Sequence, residues 1–586
     1  MGLKLQGSAQ IMPKKSFNPK AAIALSLIIL FGFILRAYNI DFPSLGYHNM
    51  KENEYLSMAQ EMLRTGDLIN RRIYFYNAFQ DKPLMKLYPQ PPLVSYQILL
   101  LWKALGQNLW GPRLFNVVFG LVSILAIYFT AYLFFKSRSQ ALFCAFLLAI
   151  MPLAVFFSRN LQPESPAFFF MLLGSLFYLK FCSSFKKRHL FFGGIAFSAA
   201  WLYKFSFFIG TIPFLFCFPY TLARKNIKEL PKLFISASAP YIIIIFSILW
   251  LKSVGQWEFV EAHRIHALEV FTAVYWHKFW RTLWWYATGE NFTVVFFLTS
   301  IAGMAVALVR RGGLLNRYLK GWFFAFILYC MIFSDFINQH NYYQMPFLGI
   351  VCIASVYALS VFAQAVKRIA DARVHIISKA ASVKINSNRE VARTSGVDII
   401  SCPVPQSRLS LKGIFLVSIV TVLIAAAPFI RQSIMRMYST VFLGQDVAGE
   451  SLKEFTRPEE RIFLLTHFQG YAIARYARRY VGWDDNLAAF KEKEQKFNIR
   501  YICFYPAEYA RALQANNPSL FEYVRNNYHV KEVGLTQDPQ QLYYIILEKG
   551  EGSDPKDFLQ SFSGPMRLKT IYKMFGQYVF LYTLRP

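Results

Sequence analysis

The chain has 586 residues and a formal net charge of +30, yet only 16% of its residues are charged while 55% are hydrophobic and 18% aromatic. A soluble protein carries closer to about 25% charged residues, and the apolar residues here are bunched into runs such as 21–35, 114–135 and 241–251. Such runs recur up to the neighbourhood of residue 430 and then stop. This excludes a wholly soluble protein and indicates a polytopic α-helical membrane protein followed by a soluble tail.

The first apolar run follows Lys14, Lys15 and Lys20 and continues to Arg36, Ala37 and Tyr38 with no small-residue cleavage site, so it reads as a permanent span and not a signal peptide. About eleven spans are expected, near 21–38, 112–135, 139–157, 165–182, 189–204, 206–221, 233–252, 291–309, 320–338, 346–363 and 413–431. The connecting loops alternate in charge. Lys136 and Arg138, Lys186 to Arg188, Arg224 to Lys232, and Arg310 to Lys320 form one basic set, together with the Ser-rich segment 366–412. The positive-inside rule places this set and the N-terminus in the cytoplasm, with 366–412 a flexible linker. Segments 39–111, 158–164, 253–290 and 339–345 and the soluble tail then face outward. The apolar stretch Pro91–Leu105 is short, and a crossing there would put the basic loops outside; a helix lying at the outer interface is expected instead. The basic excess is spread over short loops, which fits anionic lipid headgroups, and no nucleic-acid partner is expected.

The transmembrane domain is expected over 1–432 and an extracytoplasmic α/β domain over 433–586. In the latter, Arg461–Leu465, Tyr501–Tyr505, Leu542–Leu547 and Tyr578–Tyr582 look like strands, and Gly470–Tyr480 and Ala507–Ala515 like helices. No phosphate-binding glycine loop or nucleophile elbow occurs there, so a binding or positioning role is expected. The seven cysteines form no CxxC pair, which speaks against zinc-ribbon or redox chemistry.

The outward segments hold the residues of chemical interest. In the first, Tyr55, Met58, Ala59, Met62 and Leu63 share one helical face, with Glu52 and Glu54 in the first turn. A carboxylate held at the membrane surface can take a proton from a hydroxyl. The plainer alternative makes Asn49 the N-cap and Glu52 its capping-box partner. In the second, Ser158-Arg159-Asn160-Leu161-Gln162-Pro163-Glu164 forms a tight turn between spans, where Glu164 is suited to a substrate hydroxyl or a metal. Lys204, among apolar neighbours, is either a snorkelling lysine or a phosphate cation. Segment 253–290 interleaves tryptophans with Arg264, a candidate for bidentate phosphate contact. His340, Tyr342 and Tyr343 occupy the last outward turn, where they could hold a headgroup.

Taken together, these landmarks resemble the membrane glycosyltransferases of GT-C fold, in the broad group of protein O-mannosyltransferases and lipid A aminoarabinose transferases. Lys51-Glu52-Asn53-Glu54-Tyr55 with Ala59, Met62 and Leu63 stands where that group has Asp-Glu-x-x-Tyr-x-x-x-Ala-x-x-Met-Leu. Pro91-Pro92-Leu93, Arg113-Leu114, Ser158-Arg159 with Pro163-Glu164, Tyr203-Lys204, and His340 with Tyr342-Tyr343 and Pro346 follow in the group's order. The resemblance implies an inverting transfer from a polyprenyl-phosphate sugar to the hydroxyl of an acceptor lipid, glycan or protein. A first-loop carboxylate, Glu52 or Glu54, would be the base. The expected substrate-binding residues are Lys51, Lys82, Lys86, Arg159, Glu164, Lys204, Arg264, His340, Tyr342 and Tyr343. No cofactor is required; a divalent ion near Glu52 or Glu164 is the one candidate. The chain departs from the group where its first-loop aspartate is replaced by Lys51, and where the lysine before Pro-Pro-Leu is missing, leaving Lys82 or Lys86 to supply that cation. A non-catalytic binder of lipid-linked sugar is the first alternative. A transporter is the second, but no repeated halves or midplane charges point to it.

Overall fold

The computed structural model describes residues 18–69, 73–74, 91–253, 269–395, 410–466, 470–484, 486–537, 540–552, 558, 560 and 564–586. Among these, six helical stretches are long and apolar enough to cross a membrane: Pro19–Ala37, Trp110–Phe135, Glu164–Ser184, Ile227–Trp250, Asn341–Ile376 and Leu411–Ser439. A seventh crossing arises if Ala273–Asn291 and Thr293–Val309, bent by 108° at their junction, act as one. Several of the eleven expected spans are therefore shorter or broken. Proline explains two of them, since its ring removes a donor and clashes with the preceding turn. The stretch 139–157 splits at Pro152 into Arg138–Ile150 and Pro152–Phe157. The stretch 206–221 splits at Pro213 and Pro219 into a 3-10 turn, Phe205–Thr211, and two short helices, Pro213–Cys217 and Tyr220–Lys225.

The break at Pro152 leaves helix-end carbonyls inside the bundle, where an unpaired carbonyl is costly. Arg36, fully buried in the first span, takes them: its Nη1 donates to Ala149 O at 2.9 Å and its Nη2 to Leu148 O at 3.3 Å. The basic segment expected as a flexible linker is in large part helical, because helix Leu348–Ser395 runs on through Lys367, Arg368 and Arg373.

Among the described residues the C-terminal region carries a seven-stranded mixed sheet. Its strands are β1 (Ile462–Leu465), β2 (Val481–Gly482), β3 (Tyr501–Phe504), β4 (Tyr528–Gln537), β5 (Gln540–Lys549), β6 (Arg567–Met574) and β7 (Gln577–Leu584), in the order β2-β1-β3-β5-β4-β7-β6. The parallel pairs β1–β2 and β1–β3 are joined by helix-bearing crossovers, while β4–β5 and β6–β7 are antiparallel hairpins. The four expected strands are present. β4 and β6 place polar residues between apolar ones and so contain no short apolar run.

Helix Asn49–Thr65 is the hinge of the architecture. Asn49 and the run from Glu52 to Ala59 are all buried. One cluster joins its Tyr55, Leu56, Met58 and Ala59 to Ile462, Leu464, Ala472 and Ile546 of the C-terminal α/β region. Polar ties reinforce the contact. Asn49 Nδ2 donates to Gln445 Oε1 at 2.8 Å, Arg475 Nε donates to Asn53 Oδ1 at 2.5 Å, and the Tyr480 hydroxyl donates to Glu61 at 2.8 Å.

Candidate functional site

The capping box does not form. His48, not Asn49, is the N-cap residue, in a left-handed conformation (φ 57°), and no side chain caps the helix. Glu52 turns instead to the next span. Arg113 Nε and Nη2 donate to its two oxygens at 2.9 and 2.8 Å, and the Ser44 hydroxyl donates to Oε2 at 2.5 Å. The third Arg113 nitrogen, Nη1, donates to the carbonyls of Ile40 and Phe42 at 2.8 and 2.5 Å. Burial alone would raise the Glu52 carboxyl, but the Arg113 guanidinium and the Ser44 hydroxyl outweigh it and hold it down to about 2. This is a closed fork-to-fork ion pair, with both partners nearly inaccessible (3% and 4% side-chain exposure).

Two residues on, Glu54, equally buried, lies in a second cluster that reaches solvent through Lys51. Lys51 Nζ is 3.1 Å from Glu54 Oε2, and the lysine is about a third exposed (32%). From the bundle, Lys204 Nζ contacts Glu164 Oε1 at 2.5 Å and stands over the rings of Tyr342 and Tyr343, 4.3 and 4.1 Å from their centroids. A cation desolvated between two aromatic faces and a carboxylate is well compensated. The other oxygen of Glu164, Oε2, is buried with no hydrogen-bond partner. His340 stacks on Tyr342 with centroids 5.0 Å apart, and the His48 ring meets the same tyrosine edge-on at 5.1 Å. Burial lowers both imidazoles, with Lys204 and Lys51 acting in the same direction. His48 falls to about 4 and His340 to about 3, the latter opposed by nearby Glu54. Both rings are neutral at pH 7.

Lys51, Glu54, Glu164, Lys204, His340, Tyr342 and Tyr343 are thus gathered in one place. Arg159 belongs elsewhere: it donates to the carbonyls of Tyr38 and Asn39 at 2.7 and 2.8 Å and lies over Tyr438, on the Glu52 side. Lys82, Lys86 and Arg264 fall outside the described residues. Pro91, Pro92 and Leu93 line a small cleft with Tyr55, Pro163 and Tyr203, so the proline landmark abuts the second cluster. Among the described residues no group of three or more His, Cys, Asp or Glu side chains could hold a metal ion. The two candidate carboxylates do not fit a divalent ion either, since Glu52 is filled by Arg113 and Glu164 faces the Lys204 ammonium.

The sequence reading missed a third set. Glu290, at the end of the π-helical turn Tyr286–Asn291, accepts from the Tyr47 hydroxyl at 3.1 Å, the Trp285 indole at 3.2 Å and Asn341 Nδ2 at 2.8 Å. Asn341 Oδ1 meets His48 Nε2 at 3.0 Å. A lone glutamate in Ala287-Thr288-Gly289-Glu290-Asn291 carries no spacing signal. The π-turn, a feature common at functional sites, appears only in three dimensions.

Beside the cluster, helices Ala273–Trp285, Thr293–Val309, Leu314–Ile332 and Leu348–Ser395 enclose an apolar groove of about 550 Å³. Trp280, Trp284, Met304, Phe326 and Phe347 line it with Gln344, and Tyr329 of its wall donates to the Tyr343 carbonyl at 2.8 Å.

Residues 89–250 match the model of the dolichyl-phosphate-mannose-protein mannosyltransferase family. An undecaprenyl phosphate-alpha-4-amino-4-deoxy-L-arabinose arabinosyl transferase of Pseudomonas paraeruginosa is 26% identical over 265 residues, 44% of this chain and 42% of the relative. That of Pseudomonas aeruginosa (strain UCBPP-PA14) is 27% identical over 209 residues, 35% of this chain and 36% of the relative. The match therefore spans about two fifths of these curated relatives' length. Among solved structures, ArnT from Cupriavidus metallidurans bound to undecaprenyl phosphate superposes with a TM-score of 0.51 at 13% identity, over 90% of this chain and 98% of the other. The Archaeoglobus fulgidus oligosaccharyltransferase tethered to an acceptor peptide gives 0.51 at 14% identity, over 92% and 74%. The chain has the GT-C fold of these glycosyltransferases, and its sequence likeness falls within the protein-mannosyltransferase and aminoarabinose-transferase group.

Proposed function

We propose that this protein is a membrane glycosyltransferase that moves a sugar from a polyprenyl-phosphate carrier to an acceptor hydroxyl at the outer face of the membrane, with inversion. The observation that carries the reading is the nearness of two unlike surfaces. An apolar groove large enough for part of a polyprenyl chain is tied through the Tyr329 hydroxyl to Tyr343 of a polar cluster holding two carboxylates and two lysines, in a chain with the GT-C fold. Arabinosyl transferases acting with undecaprenyl-phosphate sugars among the relatives favour the same donor class.

Glu54 is the base in this reading. Glu52 is saturated by Arg113 and Ser44, whereas Glu54 faces a partly exposed lysine. Glu54 takes the acceptor hydroxyl's proton, the acceptor oxygen bonds to the anomeric carbon, and the bond from that carbon to the phosphate oxygen breaks. The electron pair leaves with the lipid phosphate, and a single displacement inverts the centre. Lys204, and Lys51 once Glu54 is protonated, stabilise the charge that builds on the phosphate. The unpartnered Oε2 of Glu164 is free to accept from a substrate hydroxyl. Outward orientation follows from loop charge: the segments expected outside supply Glu52, Glu54, Glu164, His340 and Tyr342, while Lys187 and Glu229 pair within the basic set.

The test is release of polyprenyl phosphate from a panel of polyprenyl-phosphate sugars by the purified protein and by Glu54→Gln. Release that depends on Glu54 supports the enzyme. Binding of donor without turnover supports a non-catalytic binder, the reading that Lys51 at the group's aspartate position keeps in play.

A further inference from the structure

The Glu290–Asn341–His48 chain has a direction. Glu290 receives three donors, the Tyr47 hydroxyl, the Trp285 indole and the Asn341 amide. A carboxylate only accepts hydrogen bonds, so the nitrogen of the Asn341 side chain must face Glu290 and its oxygen must face His48. Flipping Asn341 would set its oxygen against the carboxylate. Its backbone is held as well, since Asn291 Nδ2 donates to the Asn341 carbonyl at 3.0 Å. Because Asn341 Oδ1 can only accept, His48 Nε2 must carry the proton.

A neutral imidazole with its proton on Nε2 has a lone pair on Nδ1. Burial and the neighbouring ammonium groups of Lys204 and Lys51 keep the ring neutral at physiological pH. Among the described residues no protein group hydrogen-bonds Nδ1. His48 as a residue is half-buried, and its ring stands among Tyr47, Phe157, His340 and Tyr342, at centroid distances of 4.1, 5.6, 6.0 and 5.1 Å. Four aromatic neighbours and one locked tautomer are an expensive way to place a single acceptor beside the Glu54 cluster, and structural histidines ordinarily use both nitrogens.

We propose that His48 Nδ1 is a substrate-binding atom that accepts a hydrogen bond from a sugar or acceptor hydroxyl, and that Glu290 and Asn341 are positioning residues which fix its tautomer. This rests on the glycosyltransferase reading. It adds a recognition element that prefers a hydroxyl donor at this spot: a substrate with hydrogen or an acceptor-only group there loses the bond, and a cationic amine meets Lys51 and Lys204.

Two isosteres separate this from a purely structural role. In His48→Gln the amide nitrogen reaches the place of Nε2, so the bond to Asn341 is kept and the Nδ1 acceptor is lost. In His48→Asn the amide oxygen falls near the place of Nδ1, so the acceptor is kept and the bond to Asn341 is lost. The measurement is kcat/KM with whichever polyprenyl-phosphate sugar the wild type turns over, together with SDS-unfolding of each variant. The proposal expects His48→Gln to fold like wild type and lose about three- to tenfold, the size of one neutral hydrogen bond, with His48→Asn the less impaired in substrate KM. Glu290→Gln, which lets Asn341 turn, falls in the same direction as His48→Gln. A loss also seen in donor binding and donor hydrolysis without acceptor assigns the hydroxyl to the donor sugar; a loss confined to acceptor KM assigns it to the acceptor. The reverse order, with His48→Gln equal to wild type, overturns the proposal and leaves a structural histidine. A wild type that turns over no donor removes the glycosyltransferase reading and this inference with it.

Discussion

The Glu52–Arg113 pair allows the separation of scaffold from chemistry to be tested by energy. The carboxyl, ordinarily at 4.5, is held down to about 2 in the folded protein by Arg113 and Ser44 against the cost of burial. That difference corresponds to about 3 kcal/mol of stability. Removing one member of a buried pair costs about 3–5 kcal/mol by the independent argument that the partner is left charged and uncompensated, so the two routes agree. Glu52→Gln should therefore lower the free energy of SDS-unfolding in mixed micelles by about 3 kcal/mol. Arg113→Gln should cost as much or more, because it also abandons the carbonyls of Ile40 and Phe42. The double variant should recover at least about 1 kcal/mol of the summed losses, since directly contacting residues couple. The pH dependence has a fixed sign. A carboxyl with a depressed pKa contributes stability that is complete above its ordinary 4.5 and is lost as pH falls from about 4.5 toward 2. Glu52→Gln should flatten that part of the profile. A Glu52→Gln variant as stable as wild type but without turnover would refute this reasoning and make Glu52, not Glu54, the base.

Glu54→Gln should reduce polyprenyl phosphate release by about 10²- to 10⁴-fold, the range for a lost general base, in a variant that SDS-unfolding shows to be folded. Lys204→Met should destabilise by about 3–5 kcal/mol by stranding the buried Glu164, and adding Glu164→Gln should restore most of that in the unfolding assay while turnover stays low. Ala305→Trp, in the wall of the apolar groove, should raise KM for a long-chain donor about tenfold by displacing about two methylenes; KM for a short-chain donor should stay near wild type. Gly303→Ala should cost about 1–3 kcal/mol in unfolding, because the new methyl runs into the backbone carbonyl of Ala354 on the neighbouring helix.

Much of the plan is legible without coordinates, for physical reasons. Long uncharged runs must be helical in hydrocarbon, where each backbone group needs an internal partner, and among the described residues six helical stretches are long enough to cross. Residues of the segments expected outside do meet one another and the ends of the neighbouring expected spans: Glu164 with Lys204, Lys204 with Tyr342 and Tyr343, and Glu52 with Arg113. Span integrity is less legible, because a window of hydropathy does not see that Pro152 and Pro213 divide apolar runs into shorter helices.

The sequence by itself determined the membrane class, strands of the C-terminal α/β region and the identity of most charged groups in the cluster, because these depend on composition, periodicity and order along the chain. Only the tertiary structure decided what each charge does. Glu52 and Glu54 are two residues apart in one helical turn and look equivalent in sequence. One points to Arg113 and is closed by it, and the other turns toward Lys51 and the aromatic cluster. Glu290, His48 and Asn341 lie some 240 and 50 residues apart, and the proton placement they impose exists only once the fold brings them within hydrogen-bonding distance.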